Sequence, residues 1–371
     1  MNGKVWILTN SSSGLFSFRR ELIGQLLKTK QVAASATDRG SIPELEALGC
    51  RVLVTDIDRR GINPVTDAKL LLRYWKLLRR EKPGLVITYT IKPNIYGGMV
   101  CRLLRIPYAV NITGLGTAFQ NRGVLRTLVT MLYKLALKKA KVVFFENAGN
   151  MQTLLDEKIV RRGQCCLLSG AGVNTEHYAY TPYPADESVT RFLFVGRVMR
   201  EKGIDELFAA MRRLREQGFP CTLDVVGGYE ENYADTIRAC ADEGWLHFHG
   251  YQKDVRPFIE RAHCFVLPSW HEGMANTNLE CASMGRPLIT SNIPGCMEAV
   301  AENESGLLCE PKNADSLYEA MARFMTLSRE QRCAMGRAGR VRMEEVFDKK
   351  KVVAQTLRAL GLDADECGSD A

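Results

Sequence analysis

The chain has no histidine before residue 177; its five histidines are His177, His247, His249, His263 and His271. A base supplied by a histidine of the N-terminal half is therefore excluded, and no HExxH or comparable spacing offers a metal site. Twelve cysteines are scattered with no CxxC pair, and Cys165 and Cys166 are adjacent. That pattern gives neither a zinc nor a disulfide framework and favours a reducing cytosol. No stretch approaches the ~18 apolar residues of a membrane span. The N-terminus runs into VWILT (5–9) without the basic start and long apolar region of a signal peptide. No P-loop or GxGxxG follows that first strand-like segment, so nucleoside triphosphate and dinucleotide readings lose support.

What is present is ordinary globular material. The 371 residues are 46% hydrophobic and 25% charged, which suits two domains. Charge is unevenly placed. Residues 1–180 carry 27 Lys+Arg against 12 Asp+Glu, and the remainder 23 against 30. A basic half suits nucleic acid, anionic lipid or a phosphorylated substrate, or is a basic surface with no specific target.

Strand-like and helix-like segments alternate from residue 5 to 174. Strands are expected at 5–9, 32–37, 51–55, 85–89, 107–112, 142–146 and 165–168. Helices are expected at 16–27, 44–48, 69–81, 93–104 and 124–139. Residues 178–190 (YAYTPYPADESVT) interrupt the rhythm and read as a linker. The pattern then restarts, with strands at 191–195, 221–226, 246–249, 264–267 and 288–290. The helices between and after them are expected at 204–216, 232–243, 255–261, 277–284, 315–326, 329–346 and 349–360. This alternation predicts an α/β fold of two Rossmann-like, doubly wound domains facing across a cleft. The expected division is 1–182 and 186–347, with a helix over 348–371 packing back onto the first domain. Ligands of such sheets bind beyond the carboxyl ends of the strands. The candidate loops are then 10–14, 113–116, 196–203, 227–228, 249–254 and 269–276.

Within those loops, HEGMANTNLE (271–280) places Glu272 and Glu280 at the two ends of a Gly turn that opens a helix. That arrangement aims N–H groups at an anion and sets a carboxylate beside it for neutral hydroxyls. A solvated glutamate pair is the plainer alternative. Arg197 and Lys202, in GRVMREKG after the strand at 191–195, can hold a diphosphate without a metal, or form a surface basic cluster beside Arg200 and Glu201. Gly14 and the serines before it can supply N–H donors, or make an ordinary βα turn. Segments 69–81 and 124–139 mix cations with apolar residues. Arg122, Arg126, Lys134 and Lys138 recur at multiples of four and form one slanting stripe. Such helices suit anionic headgroups at a membrane surface and equally suit the solvent face of this fold.

Together these elements resemble the retaining family-4 glycosyltransferases of the GT-B fold. The resemblance rests on GRVMREKG, VVGG (225–228), FHGYQKDV (248–255) and LPSWHEGMANTNLECASMGRPLITSNIPGCMEAV (267–300). TYTIKPNIYGGMVCRLLRIPYAVNITGLGTAF (88–119) is similar to bacterial enzymes that extend polyprenyl-diphosphate-linked saccharides, N-acetylgalactosaminyltransferases among them. The resemblance implies transfer, with retention, of an N-acetylhexosamine such as N-acetylgalactosamine. The donor would be a UDP-sugar and the acceptor a polyprenyl-diphosphate-linked saccharide, in glycan, capsule or O-antigen assembly. It implies no metal and no cofactor, no nucleic acid, and a cytoplasmic protein peripheral on the inner face of a bacterial membrane, held by its basic domain. Arg197 and Lys202 would bind the donor diphosphate and Glu280 the ribose hydroxyls, with Glu272 on the transferred sugar. N–H groups of Gly273, Met274, Ala275 and Asn276 would line sugar and phosphate. Gly14 would approach the phosphates from the other domain. Gly227 belongs to the donor loop, and Tyr251 and Gln252 would lie near the uracil. Lys92, Asn94, Thr113 and Gly114 are acceptor candidates. Many relatives have an N-domain histidine near the reacting centre, and this chain does not. The alternatives are a sugar-nucleotide epimerase or hydrolase of the same fold, transfer of galactose, glucose or a uronic acid, and a non-catalytic binding subunit.

Overall fold

The structure is a computed structural model. It describes residues 3–57, 63–116, 119, 123–186 and 188–362. Arg122 and the tail 363–371 lie outside them. The chain forms two units, Met1–Ala171 with Lys350–Ala371, and Gly172–Lys349.

The first unit runs β1 (Lys4–Leu8), α1 (Ser12–Leu27), β2 (Gln31–Ala36), α2 (Ile42–Ala47), β3 (Arg51–Val54), α3 (Pro64–Glu81) and β4 (Leu85–Tyr89). A π-helical turn, Pro93–Gly97, then leads into α4 (Gly98–Leu104), followed by β5 (Tyr108–Ile112), α5 (Val124–Leu137), β6 (Val142–Phe145), α6 (Ala148–Asp156) and β7 (Cys165–Leu167). Its parallel sheet has the order β3-β2-β1-β4-β5-β6-β7. The central strands β4, β5 and β6 are buried along their whole length because both faces are covered. Alternate residues serve opposite faces. Trp6, Leu8, Val86, Val110 and Val143 pack with α3 and α5 residues such as Tyr74, Leu78, Tyr133 and Leu137. Val5, Ile7, Ile87, Ala109 and Val142 pack with Leu15, Leu22, Ile23 and Leu26 of α1. Full burial of each such side chain contributes about 1.5–3 kcal/mol.

The second unit runs β8 (Thr190–Val195), α7 (Ile204–Glu216), β9 (Cys221–Val226), α8 (Ala234–Asp242), β10 (Leu246–Phe248), α9 (Arg256–Arg261) and β11 (Cys264–Leu267). It continues with α10 (Asn276–Ser283), β12 (Leu288–Ser291), β13 (Gly306–Cys309), α11 (Ala314–Thr326) and α12 (Arg329–Val346). Its strand order is β10-β9-β8-β11-β12-β13, all parallel. The edge strand β13 was not among the expected strands. The last helix, α13 (Lys349–Leu360), supplies Val352, Val353 and Leu360 to a core of the first unit, and Lys141 Nζ donates to Leu360 O at 2.7 Å.

The expected boundary at 182 falls inside the second unit. Buried Arg286 draws the segment after Gly172 onto that unit, donating from Nη2 to Thr181 Oγ1 at 2.6 Å and to Pro182 O at 2.9 Å. Arg340 Nη1 donates to Thr175 O at 3.1 Å and Tyr178 O at 3.0 Å. The helix expected to begin at 16 begins at Ser12, because Ser11 caps it and accepts from Gly14 N at 3.0 Å.

Candidate functional site

In the second sheet, β8 has β9 on one side and β11 on the other. Connections from β8 and β11 flank the switch point, where open α/β sheets bind ligands. Those connections are 196–203 and 268–275, and their side chains meet. Lys202 Nζ donates to Glu272 Oε1, which also accepts from Ser269 Oγ at 2.8 Å. Both partners are largely enclosed, with side-chain exposures of 19% for Lys202 and 13% for Glu272. A charge-assisted bond in such surroundings is stronger than one in open water.

Backbone packing brings the two loops together. Gly203 has φ +72°, and a Cβ there would stand 2.1 Å from Pro268 O. Glycine alone permits that approach, and it takes the left-handed turn without strain. Trp270 N donates to Glu201 O at 3.0 Å, and Trp270 Nε1 to Glu206 Oε1 at 3.0 Å. His271 Nε2 lies 3.6 Å from Glu201 Oε2.

The turn that opens α10 is braced from below. Ala275 N donates to Gly295 O at 2.7 Å and Asn276 N to Met274 O at 3.0 Å. These N–H groups are therefore spent inside the protein and are not the open donors expected at Ala275 and Asn276. Met274 and Ala275 are buried, and Gly273 and Asn276 half-buried.

Glu280 lies on α10, apart from Glu272. Loss of solvation pushes its carboxyl from its ordinary 4.5 up to about 7, against a Tyr178 hydrogen bond and the charge of Lys349, which pull it down. Arg197 is not in the Lys202–Glu272 pair: its Nη1 stands 3.3 Å from Glu230 Oε2, and its side chain is 40% exposed. Gly227 N donates to Gly250 O at 2.8 Å, tying the β9 and β10 connections together. A Cβ on Gly227 would fall 1.8 Å from Gly196 O. Tyr251 is 77% exposed, and Gln252 Nε2 donates to His249 O at 2.7 Å. His249 Nε2 is itself held against buried Asp224 at 2.5 Å.

In the first unit, Gly14 N is taken by Ser11 Oγ, so the expected spare N–H donor is not open there. Lys92 Nζ pairs with Asp67 Oδ1 at 2.8 Å. Asn94 is 1% exposed. It accepts from Thr88 Oγ1 at 2.7 Å and donates to Asn111 O at 2.8 Å, so its amide braces β4 against β5 instead of facing a ligand. Thr113 and Gly114 are half-buried beyond the end of β5.

The cationic stripe expected on α5 is also revised. Arg126 is turned aside to Glu157 at 2.6 Å. Lys134 is exposed, as are Lys138 and Lys139 after it, and exposed apolar side chains stand along the helix with them: Val124 88%, Leu128 43%, Met131 56% and Leu135 46%.

Sequence reading placed Ser269 in a candidate loop without its bond to Glu272, and missed Glu230, Tyr178 and Lys349 as partners of the site. Ser269 stands three residues before Glu272, a spacing that carried a signal. The other three are joined to the site only by the fold.

A family model described as glycosyl transferases group 1 matches residues 189–326, and one described as glycosyl transferase 4-like matches residues 5–147. The chain is 24% identical over 337 residues to the N,N'-diacetylbacillosaminyl-diphospho-undecaprenol alpha-1,3-N-acetylgalactosaminyltransferase of Campylobacter jejuni, covering 86% of this chain and 88% of that protein. It is 28% identical over 285 residues to the UDP-Gal:alpha-D-GlcNAc-diphosphoundecaprenol alpha-1,3-galactosyltransferase of Escherichia coli, covering 71% and 72%. Among solved structures, HepE of Anabaena in complex with UDP and glucose superposes with a TM-score of 0.80 at 15% identity, over 97% of this chain and 100% of that one.

Proposed function

This chain belongs to the group 1 glycosyltransferases and has their GT-B architecture of two parallel-sheet units, and we propose that it transfers a sugar from a UDP-sugar to a polyprenyl-diphosphate-linked saccharide. The leading case for the sugar is an N-acetylhexosamine such as N-acetylgalactosamine, with its anomeric configuration retained. The observation that carries this reading is the meeting of Lys202 and Glu272 from the two connections that flank the second unit's switch point. It is supported by likeness over most of both chains to an enzyme that acts on a diphospho-undecaprenol sugar.

In this reading Lys202 and Arg197 hold the donor diphosphate rather than a metal ion. Before the donor arrives, Glu272 and Glu230 hold those cations in place. The diphosphate then takes over both cations and frees the Glu272 carboxylate for hydroxyls of the transferred sugar. Glu280 accepts from the ribose hydroxyls, and the Tyr251–Gln252 loop lies by the uracil. The acceptor hydroxyl oxygen bonds to the anomeric carbon on the face from which the UDP oxygen departs. Its proton passes to the departing phosphate, so UDP and the glycoside are the products and no separate base is needed. The cations stabilise the charge that grows on the phosphate, the kind of electrostatic contribution that dominates many enzymes.

The same reading places the protein on the inner face of a bacterial membrane, where such acceptors are anchored. Among the described residues no helix is long and apolar enough to cross a membrane. Contact is assigned to α5, whose exposed Val124, Leu128, Met131 and Leu135 line one side beside exposed Lys134, Lys138 and Lys139. An apolar stripe edged by lysines suits an interface with anionic lipid.

The test is a panel of UDP-sugars given with a polyprenyl-diphosphate-linked N-acetylhexosamine, with the product's anomeric configuration read by NMR. An α-glycoside from an α-linked donor supports the reading, and an inverted product refutes retention. Turnover of the UDP-sugar that is indifferent to acceptor favours the epimerase or hydrolase alternative.

A further inference from the structure

Thr90 follows directly on β4 and has φ +71°. Among the described residues, the other non-glycine residues in this region are Lys82, Arg105, Lys158, Asn303 and Lys312. None of these is β-branched, whereas threonine is, and for such a residue the left-handed conformation is a genuine outlier. Lys82 and Arg105 simply terminate helices. Thr90 stands at the start of one, so the usual reason for a left-handed residue does not apply.

The Thr90 hydroxyl oxygen is buried with no hydrogen-bond partner. Helix capping does not use it. A capping threonine ordinarily accepts from the N–H two or three residues on, and the third residue here is Pro93, which has no N–H. The Thr90 carbonyl is engaged, accepting from Asn94 N at 2.9 Å.

Surrounding packing enforces this conformation. Asn94 is locked between Thr88 and Asn111 by the buried bonds described above. A Cβ on Gly97 would come 2.8 Å from Leu8 Cδ1, so the π-helical turn lies hard against the end of β1. On the other side, a Cβ on Gly116 would come 2.6 Å from Ile91 Cδ1. A strained residue, an idle buried hydroxyl and a π-helical turn fall within eight residues of chain; strained residues and π-helical turns are concentrated at functional sites, and a buried unsatisfied hydroxyl calls for an explanation.

Their place in the fold points the same way. β1 and β4 are neighbours. After β1 the chain enters α1, whose Leu15 and Leu22 belong to the core on one sheet face. After β4 it supplies Ile95, Val100 and Cys101 to the core on the other. The two connections part there, which makes this the ligand crevice of the first unit.

We propose that Thr90 contacts the acceptor, its hydroxyl bonding to the oxygens of a polyprenyl-diphosphate-linked saccharide beyond the end of β4. This rests on the proposed function above, that the chain uses such an acceptor; its donor groups Lys202, Glu272 and Glu280 all belong to the second unit, which leaves the acceptor to the first. A hydroxyl both donates and accepts, which suits sugar hydroxyls and phosphate oxygens alike. Thr90 as a residue is half-buried. Rotation about χ1 between staggered wells moves the oxygen without breaking any hydrogen bond. Asn94 and Gly97 are positioning residues that hold the turn.

The test uses the full chain with Thr90→Gly, Thr90→Val and Thr90→Ser. Initial rates are taken with a short-chain polyprenyl-diphosphate-linked N-acetylhexosamine as acceptor probe, UDP affinity by calorimetry and thermal midpoints in parallel. Glycine adopts this φ without strain, so Thr90→Gly is expected to melt at or above the wild-type temperature. Its acceptor KM should rise at least ~10-fold, as should that of Thr90→Val, as expected when a polar contact is removed. UDP affinity should stay within ~2-fold, and Thr90→Ser should keep KM within ~3-fold. A wild-type acceptor KM in Thr90→Gly overturns the inference and leaves the proposed function standing. A weakening of UDP binding that matches the KM change overturns it also. Absence of transfer by the wild-type chain refutes the acceptor reading and this inference with it.

Discussion

Glu280→Gln tests the donor half of the site through its pH dependence. Desolvation raises the Glu280 carboxyl from 4.5 to about 7 in the folded chain, so the folded state binds this proton more tightly than the unfolded state. Well below pH 4.5 both states are protonated and stability is full. Between 4.5 and 7 the unfolded chain ionises while the folded chain holds its proton, and stability falls. Above about 7 the loss is complete, at about 3 kcal/mol from the size of the shift. Glutamine carries no charge and escapes this loss. Urea unfolding should therefore find Glu280→Gln more stable than wild type at pH 8, by up to about 3 kcal/mol, with little difference at pH 5. UDP binding adds a second readout. If ribose hydroxyls donate to the carboxylate, binding favours its ionised form and releases protons. Calorimetry in buffers of different ionisation enthalpy should detect release at pH 6.5 in wild type and none in Glu280→Gln. An equal stability difference at pH 5 and pH 8, or proton release that survives the substitution, refutes the reasoning.

Lys202→Ala and Glu272→Ala should each lower the transfer rate at least ~100-fold while far-UV circular dichroism stays unchanged; wild-type rates in both would remove them from the mechanism. Arg19 lies buried against Glu146, and Arg19→Met leaves that carboxylate unpaired, which should cost about 3–5 kcal/mol in urea unfolding. Most of that loss should return in the double substitution Arg19→Met with Glu146→Leu. Leu128→Ser, Met131→Ser and Leu135→Ser together should weaken co-sedimentation with anionic liposomes and spare UDP affinity, whereas unchanged sedimentation at low salt counts against the α5 surface.

Much of the fold was legible because parallel strands buried on both faces leave continuous apolar runs such as VWIL and CFVL, and helices fill the intervals. β13 escaped because GLLC is short and begins with a glycine whose strand role depends on β12 beside it. The domain boundary was placed at 182 because the chain turns proline-rich there. Arg286, more than a hundred residues on, decides the matter by binding that segment. In the site, Lys202 and Glu272 were legible because each sits in a loop directly after a clear strand. Which groups they touch was not legible. The same limit explains Arg126, counted into a cationic stripe by its spacing yet bound to Glu157. It also explains Asn94, marked as a ligand contact yet enclosed between β4 and β5. Thr90 left no trace, because residue type does not reveal a backbone conformation that its neighbours impose.

The most direct measurement gives the protein each of several radiolabelled UDP-sugars, with and without a polyprenyl-diphosphate-linked saccharide, and counts label in the lipid extract. Label should enter the extract from at least one UDP-sugar, only when the acceptor is present, and should be lost in Lys202→Ala. Folded protein that places no label in lipid from any of the UDP-sugars would contradict the account.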